Sequence, residues 1–450
     1  MTADPIDDPA SFRDPAGRVV RQGPRILRNL TPDGVQLWAD LRQNNILEPL
    51  INQGRVVKTW ETGVAQLEHD PIPFLSYAYE WPCELLRRAA HVHLDLMAEL
   101  VPKGFILKDA TPFNVQFIGC RPVFIDVLSI ERRAEGDAWG AYGQFCDTML
   151  YPLMLAAYKN LPHQPWLKHS FDGITPAVMA KALGLSAFVR SGGLRHVLTR
   201  AWAHRAFERR DDVKRAEIRA ANFPANAILN IVADLKHLIE NLPVPKDSAW
   251  TGYGDDNSYK PGEMEAKKAF VAQAFTDTKF ELVWDIGCNT GAFSEIAAAT
   301  ADTVIAIDDD EAAVGRLATR SLPAILPLVM DWSAPSPSVG WKNEERPGFL
   351  ARAKPDAVLY LALMHHMAVR RHIPIDAQLA LLARTAKSLV VFEYIDQTDP
   401  MFSFLTRNID DSFPDYTRDA FNKALEKYFT VVASRPLSAT REIFTLRPRP

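Results

Sequence analysis

Cysteine is scarce, with four in 450 residues. Cys83, Cys120, Cys146 and Cys288 are far apart and form no C-x-x-C pair, so neither a zinc site nor a disulfide framework is indicated. No metal site is expected, and the setting expected is a reducing cytoplasm. A basic excess is also missing. Lys and Arg total 51 against 55 Asp and Glu, a net charge of -4, which argues against a general nucleic-acid binder. The one basic cluster, Arg209-Arg210 with Lys214-Arg215, is interrupted by Glu208, Asp211, Asp212 and Glu217 and reads as a solvated helix face. Long apolar runs are absent. The stretch 149–158 is too short and interrupted to span a bilayer, and no membrane partner is expected. The opening MTADPIDDPASF is acidic and lacks the apolar core of a signal peptide. There is no internal repeat and no low-complexity tract.

What is present is ordinary in bulk and informative in order. Apolar residues make up 47% and charged residues 24%, as in soluble globular proteins, and the length predicts two or three domains. Short strands are expected at 18–21 and 25–28, a helix near 32–45, and a strand at 55–60. Leu85, Ala89, His93, Leu96 and Leu100 lie mostly at helical spacing, and 140–240 is largely helical by pattern. The run Leu242-Pro-Val-Pro-Lys and the polar stretch 252–258 mark a boundary, giving domains 1–245 and 246–450. Beyond it, strand candidates at 282–284, 303–307, 325–330, 357–361 and 388–392 alternate with helical segments. A last pair at 430–434 and 442–446 follows. That order predicts a parallel doubly wound sheet ending in an antiparallel hairpin.

The first of these strands runs into VWDIGCNTGAF, residues 283–293. A dinucleotide fingerprint needs G-x-G-x-x-G. Here Gly287 and Gly291 are present, but Asn289 and Ala292 stand at the second and third positions. No G-K-[ST] ending places a lysine on phosphates. The pattern from Asp285, D-x-G-x-N-x-G, fits the class I methyltransferase turn better. S-adenosylmethionine carries no phosphate; its methionine end needs the amides and carbonyls of a tight turn, and its ribose needs a carboxylate. Asp308 ends the second strand and can accept both ribose hydroxyls. Asp331 ends the third and can accept from the adenine amino group, with Trp332 facing the ring. The helix starting near Gly291 brings its positive end to the donor's carboxylate. A generic nucleotide-binding sheet, whose strand-end aspartates only cap helices, is the alternative reading.

The acceptor side is read from LALMHHM after the fourth strand. His365 and His366 are candidates for a base that takes a hydroxyl proton, or for substrate contact, because imidazole titrates near neutral pH. Each can equally be a packing or turn-capping residue. Glu393, ending the fifth strand, is a candidate for the acceptor or a substrate ammonium, although a salt-bridged loop residue is the preferred reading; Tyr259 is a candidate for closing over the methionine end or for simple packing.

The segments DIGCNTGAFS, LPLVMDWSAPSPSVGW, NEERPGFLARAKPDAVLYLALMHHMAV and SFPDYTRDAF resemble the class I methyltransferases related to the nodulation protein NoeA. SYAYEW, LKDATPFNVQF and FIDVLS extend the resemblance over nearly the whole chain. It implies S-adenosylmethionine-dependent methyl transfer. A carbohydrate-type acceptor is suggested only by the nodulation label.

The first half contains a second pattern. In LKDATPFN, Asp109 and Asn114 stand in D-x4-N spacing, and the strand ending at Asp126 follows. This is similar to the catalytic and metal-binding segments of protein kinases and aminoglycoside phosphotransferases. That resemblance makes Asp109 the base and Asn114 and Asp126 the magnesium ligands. Lys58 is the one strand lysine suited to a nucleotide. Lys108 replaces the arginine of the H-R-D loop, and no glycine-rich loop precedes it. A degenerate fold that binds a substrate, a partner or nothing is the reading preferred over active phosphoryl transfer.

The expected fold is therefore α/β. It comprises a seven-stranded Rossmann-like methyltransferase domain with a C-terminal hairpin, after a mainly helical α+β domain that is kinase-like in part. The expected function is transfer of a methyl group, at oxygen, from S-adenosylmethionine to a small polar acceptor. The alternatives are a bifunctional enzyme that phosphorylates a small molecule, a non-catalytic S-adenosylmethionine-binding module, and, with less support, an RNA methyltransferase.

Overall fold

The computed structural model describes residues 4–207, 222–243, 262–276, 278–408 and 413–449, without the side chains of 204–207. The chain divides into two compact units: residues 1–246 with 339–346, and residues 247–338 with 347–450. The short segment 339–346 thus leaves its sequence neighbours. In the first unit its Arg346 lies between the rings of Phe113 and Phe171, 4.0 and 3.9 Å from their centroids.

The first unit opens with a five-stranded antiparallel sheet. It contains β1 (Ile6–Asp7), β2 (Gly17–Gln22), β3 (Arg25–Leu30), β4 (Thr59–Gly63) and β5 (Gln66–His69) in the order β1-β2-β3-β5-β4. Helix α1 (Pro32–Gln43) starts where Thr31 accepts the Gly34 amide and Pro32 presets the first turn. The strand expected at 55–60 is displaced. Thr59–Gly63 forms the strand, because Val56 and Val57 pair instead with Phe124. Helix α2 (Cys83–Leu100) buries Leu85, Leu86, Ala89, Ala90, Leu94 and Leu96. Two strand pairs then follow: β6 (Phe105–Leu107) with β9 (Ile130–Arg132), and β7 (Val115–Ile118) with β8 (Arg121–Phe124). Strands of three or four residues are too short for alternation to announce them, so most of this set was not expected. Among the described residues, the remainder is mainly helical and includes α3 (Tyr151–Lys159), α4 (Pro176–Leu183), α5 (Thr199–Phe207) and α6 (Ala225–Glu240).

In the second unit, α7 (Glu263–Phe275) precedes a seven-stranded sheet. Its strands are β10 (Phe280–Ile286), β11 (Ala301–Asp308), β12 (Ile325–Val329), β13 (Ala357–Tyr360), β14 (Leu389–Ile395), β15 (Phe429–Pro436) and β16 (Arg441–Pro448). The order is β12-β11-β10-β13-β14-β16-β15. The first five are parallel, and β16 and β15 form the antiparallel end. β14 is buried at all seven positions and β10 at six of seven, as apolar strands covered on both faces must be. Val283, Val304, Ala306, Leu359 and Val391 lie in the core under α7 and α8 (Ala292–Ala298). Strand order reverses between β10 and β13. The crevice beyond their carboxyl ends is where a doubly wound sheet holds a ligand.

Candidate cofactor site

The turn after β10 is held from both sides. Gly287 and Cys288 donate their amides to the Ile307 carbonyl (2.8 and 2.9 Å), and Gly291 donates to Cys288 (2.9 Å). Gly287, Asn289 and Gly291 all have positive φ (79°, 49° and 87°). Glycine is required most at 291. A Cβ there would lie 2.5 Å from Leu317 Cδ1, in a backbone region that side chains disfavour. The tight turn thus follows from two glycines and an asparagine, the residue types that tolerate this conformation.

Asp285 is buried beneath the turn and accepts from Ser294 Oγ at 2.6 Å. Burial pushes its carboxyl up to about 6. Asp308, at the end of β11, accepts the Asn289 amide (2.8 Å) and the Asp310 amide (3.1 Å). Burial pushes it up to about 6 as well. Each carboxylate oxygen has two lone pairs, so both retain acceptor capacity. Asp331 accepts from the amide and hydroxyl of Ser333 (2.8 and 2.6 Å) and pairs with Arg371 (2.7 Å). Trp332 is buried, edge-on to Trp284 and Phe349.

These groups line one cavity of about 330 Å³, which takes in Asp285, Gly287, Asn289, Asp308, Asp331 and Trp332, and also His366 and Lys267. Gly291 shapes the turn without lining it. Tyr259 lies outside the described residues.

The two histidines separate. They lie in the first turn of helix α9 (Met364–Arg371), and successive helix positions point about 100° apart, so one face of the helix cannot present both. His366 lines the cavity, and its imidazole is pushed down to about 4 by burial and then by the charges of Arg370 and Arg441. His365 is fully buried and does not line it, which corrects the expectation of a substrate contact there. Its rings and those of His366 are 4.2 Å apart between centroids. Burial, reinforced by His366, Arg441 and Lys267, holds its pKa well below the ordinary value.

Glu393 is salt-bridged, as its preferred reading had it, but inside β14 and not on a loop, and the substrate contact is corrected. It is fully buried and pairs with Lys267 Nζ at 2.7 Å, with Arg441 at 3.8 Å. Arg441 is in turn held by Asp399 (2.8 and 3.0 Å). The ammonium that Glu393 meets is therefore the chain's own, and Glu393 does not line the cavity. Lys267 was not legible as a site residue. It sits on α7 among ordinary helix formers, and only the packing of that helix turns it inward. Ser294 and Arg371 escaped notice for the same reason.

In the first unit, β6 and β8 bring Asp109 and Asp126 together. Desolvation, then the charge of Asp126, raises the Asp109 carboxyl. Asn114 is tied into the backbone, its amide donating to Thr111 (3.1 Å) and its carbonyl accepting from Ile125 (2.9 Å). Asp126 pairs with Arg28 of β3 at 2.9 Å, and Arg28 also meets Asp14 at 3.2 Å. Lys58 is exposed and lies over the Trp60 ring (5.6 Å). Among the described residues it pairs with neither aspartate. The cation paired with Asp126 is Arg28.

No family model matches the sequence. The nodulation protein NoeA of Rhizobium meliloti (strain 1021) is 32% identical over 439 residues, covering 94% of this chain and 92% of that protein. The chain belongs to the NoeA family. Among solved structures, this NoeA-family chain is similar to the N-methyltransferase NodS of Bradyrhizobium japonicum WM9. That similarity has 14% identity and a TM-score of 0.31, over 42% of this chain and 98% of NodS. It is also similar to magnesium protoporphyrin IX methyltransferase of Synechocystis PCC 6803, solved with bound S-adenosylhomocysteine. There the identity is 16% and the TM-score 0.31, over 42% of this chain and 84% of that one.

Proposed function

We propose that this NoeA-family protein binds S-adenosylmethionine in the cavity at the ends of β10 to β13 and transfers its methyl group to the oxygen of a small polar acceptor. The observation that carries this reading is the convergence of the glycine turn, Asp308, Asp331, Trp332 and His366 on one cavity of suitable chemistry. The residues fit the donor. The turn offers amides and carbonyls to the methionine end, Asp308 offers acceptors to the ribose hydroxyls, and Trp332 with Met330 offers an apolar wall to adenine. No lysine in the turn awaits a phosphate. When bound, the donor supplies a methyl group activated by its sulfonium.

The protein's own contribution is positioning and proton handling. Alignment of two reactants is the main lever for a displacement of this kind. His366 stays neutral at physiological pH, so a ring nitrogen can accept the hydroxyl proton. A carbohydrate-type acceptor, a cytoplasmic location and an accessory role for residues 1–245 belong to the same reading. The relation to a nodulation protein supports the first. The four cysteines, all buried and none in a disulfide, support the second. Among the described residues, no helix is long and apolar enough to cross a membrane.

The test is incubation of pure protein with a cell extract and labelled S-adenosylmethionine, followed by mass spectrometry of the labelled product. His366→Asn is expected to lower the transfer rate about 100-fold while leaving calorimetric binding of S-adenosylhomocysteine intact. No calorimetric binding by the wild type would end the reading.

A second reading adds magnesium-dependent ATP binding in the first unit. It is supported by the approach of Asp109 and Asp126, and opposed by the occupation of Asp126 by Arg28. ATP binding that requires magnesium and disappears in Asp126→Ala would establish it.

A further inference from the structure

The helical part of the first unit exposes large apolar side chains on a turn that is otherwise well anchored. Residues 184–191 follow α4 and precede the π-helical segment Gly193–Leu198. Ala187 is fully buried, and Ser186 Oγ donates to the Leu183 carbonyl at 2.5 Å. Gly193 packs so closely that a Cβ on it would lie 2.2 Å from the Ala187 carbonyl oxygen. Yet Leu185, Phe188 and Val189 are 87%, 57% and 83% exposed. Three such side chains on one fixed turn add nothing to the core. Clustered exposed apolar surface of this kind marks an interaction face.

Charge selects the occupant. From 173 to 207 the chain has Lys181, Arg190, Arg195, Arg200 and Arg205 and no carboxylate. Arg195 and Arg200 are used internally, on Asp234 (2.7 Å) and Asp147 (2.6 Å). The cations beside the turn meet no carboxylate among the described residues. Lys159 Nζ donates to the Leu183 carbonyl (3.3 Å), and Arg190 lies over the Tyr158 ring (5.2 Å), whose hydroxyl donates to Ser191 (3.0 Å). Lys181 precedes the turn on α4. Among the described residues, none of these three is ion-paired. A second copy of the chain would bring the same positive rim and be repelled. A nucleic acid offers phosphates and no apolar layer for the tips. An anionic lipid surface offers both, headgroup charge for the rim and an apolar interface for the tips.

We propose that the 184–191 turn is a peripheral docking finger for anionic membranes. Leu185, Phe188 and Val189 enter the interface, while Lys159, Lys181 and Arg190 meet the headgroups. It departs from the expectation of no membrane partner, requires no spanning segment, and is independent of the methyl-transfer reading.

The experiment is sedimentation of the full chain with vesicles of phosphatidylcholine alone, and with vesicles that also contain phosphatidylglycerol. Wild-type protein is expected to pellet only with the anionic vesicles and to be released by salt. L185S/F188S/V189S and, separately, K181E/R190E are expected to bind about tenfold more weakly or worse. All five side chains are exposed, so both variants should keep the wild-type melting temperature, which thermal unfolding checks. Three outcomes overturn the proposal. One is no pelleting of the wild type with anionic vesicles, and another is unchanged binding of folded variants. The third is lipid-free self-association by analytical ultracentrifugation that the triple variant abolishes.

Discussion

The two units each gather aspartates near a turn, and they treat them differently. In the second unit, Asp308 accepts two backbone amides and faces a cavity, with no cation paired to it among the described residues. In the first, Asp126 is neutralised by Arg28, which also meets Asp14. Backbone amides hold a carboxylate in place and leave lone pairs for a ligand. An arginine on a half-buried carboxylate satisfies the charge within the protein. Similar motif residues therefore describe an open site in one unit and a largely self-paired cluster in the other.

The sharpest break in that comparison lies at Lys267. Lys267→Met strands the buried Glu393 beside Arg441 alone, and is expected to destabilise the second unit by about 3–5 kcal/mol, read by urea unfolding. Lys267→Met with Glu393→Gln removes both charges and should recover part of the loss. An equal loss in the single and double variants would show that the pair is not the cause.

Next in size is Asp308→Ala. Loss of the ribose acceptors should weaken S-adenosylhomocysteine binding by about 2–3 kcal/mol, roughly 100-fold, by calorimetry. Asp126→Ala should leave that affinity unchanged. Equal effects of the two would erase the distinction between the units.

The pH dependence is smaller per unit and its sign is set by Asp308. The folded carboxyl is raised to about 6 from an ordinary 3.8. Alone it favours the folded state below the ordinary value, and that contribution is lost as pH rises through about 6. A ribose hydroxyl needs the ionised form, so ligand affinity should fall as pH drops below about 6, by up to about tenfold per unit. Calorimetry between pH 5 and 8 reads it, and a flat profile would remove Asp308 from the site.

The smallest effect is expected at Lys58. It is exposed, so Lys58→Ala should change stability by no more than about 0.5 kcal/mol by thermal unfolding. A large loss of any ATP binding in this variant would mark Lys58 as a nucleotide contact.

Much of the second unit was readable because its signals are local. Runs such as LVVFEYI are apolar but for one residue, Glu393, and glycines at 287 and 291 punctuate the first of the strands. The first unit was less readable. Its strand pairs β6–β9 and β7–β8 are short, and Val56 finds its partner at Phe124, far along the chain.

Sequence by itself determined the alternation of strands and helices, the turn conformation that Asn289 and the glycines permit, and the places of Asp285, Asp308 and Asp331 at or beside strand ends. Only the tertiary structure decided which of two adjacent histidines faces the cavity, that Glu393 meets Lys267 and Arg441, and that Arg28 meets Asp126. The physical reason is common to all three. A residue's type and period fix which way its side chain leaves the backbone, but whether it meets solvent, a cavity or an opposite charge depends on elements distant in sequence that pack against it.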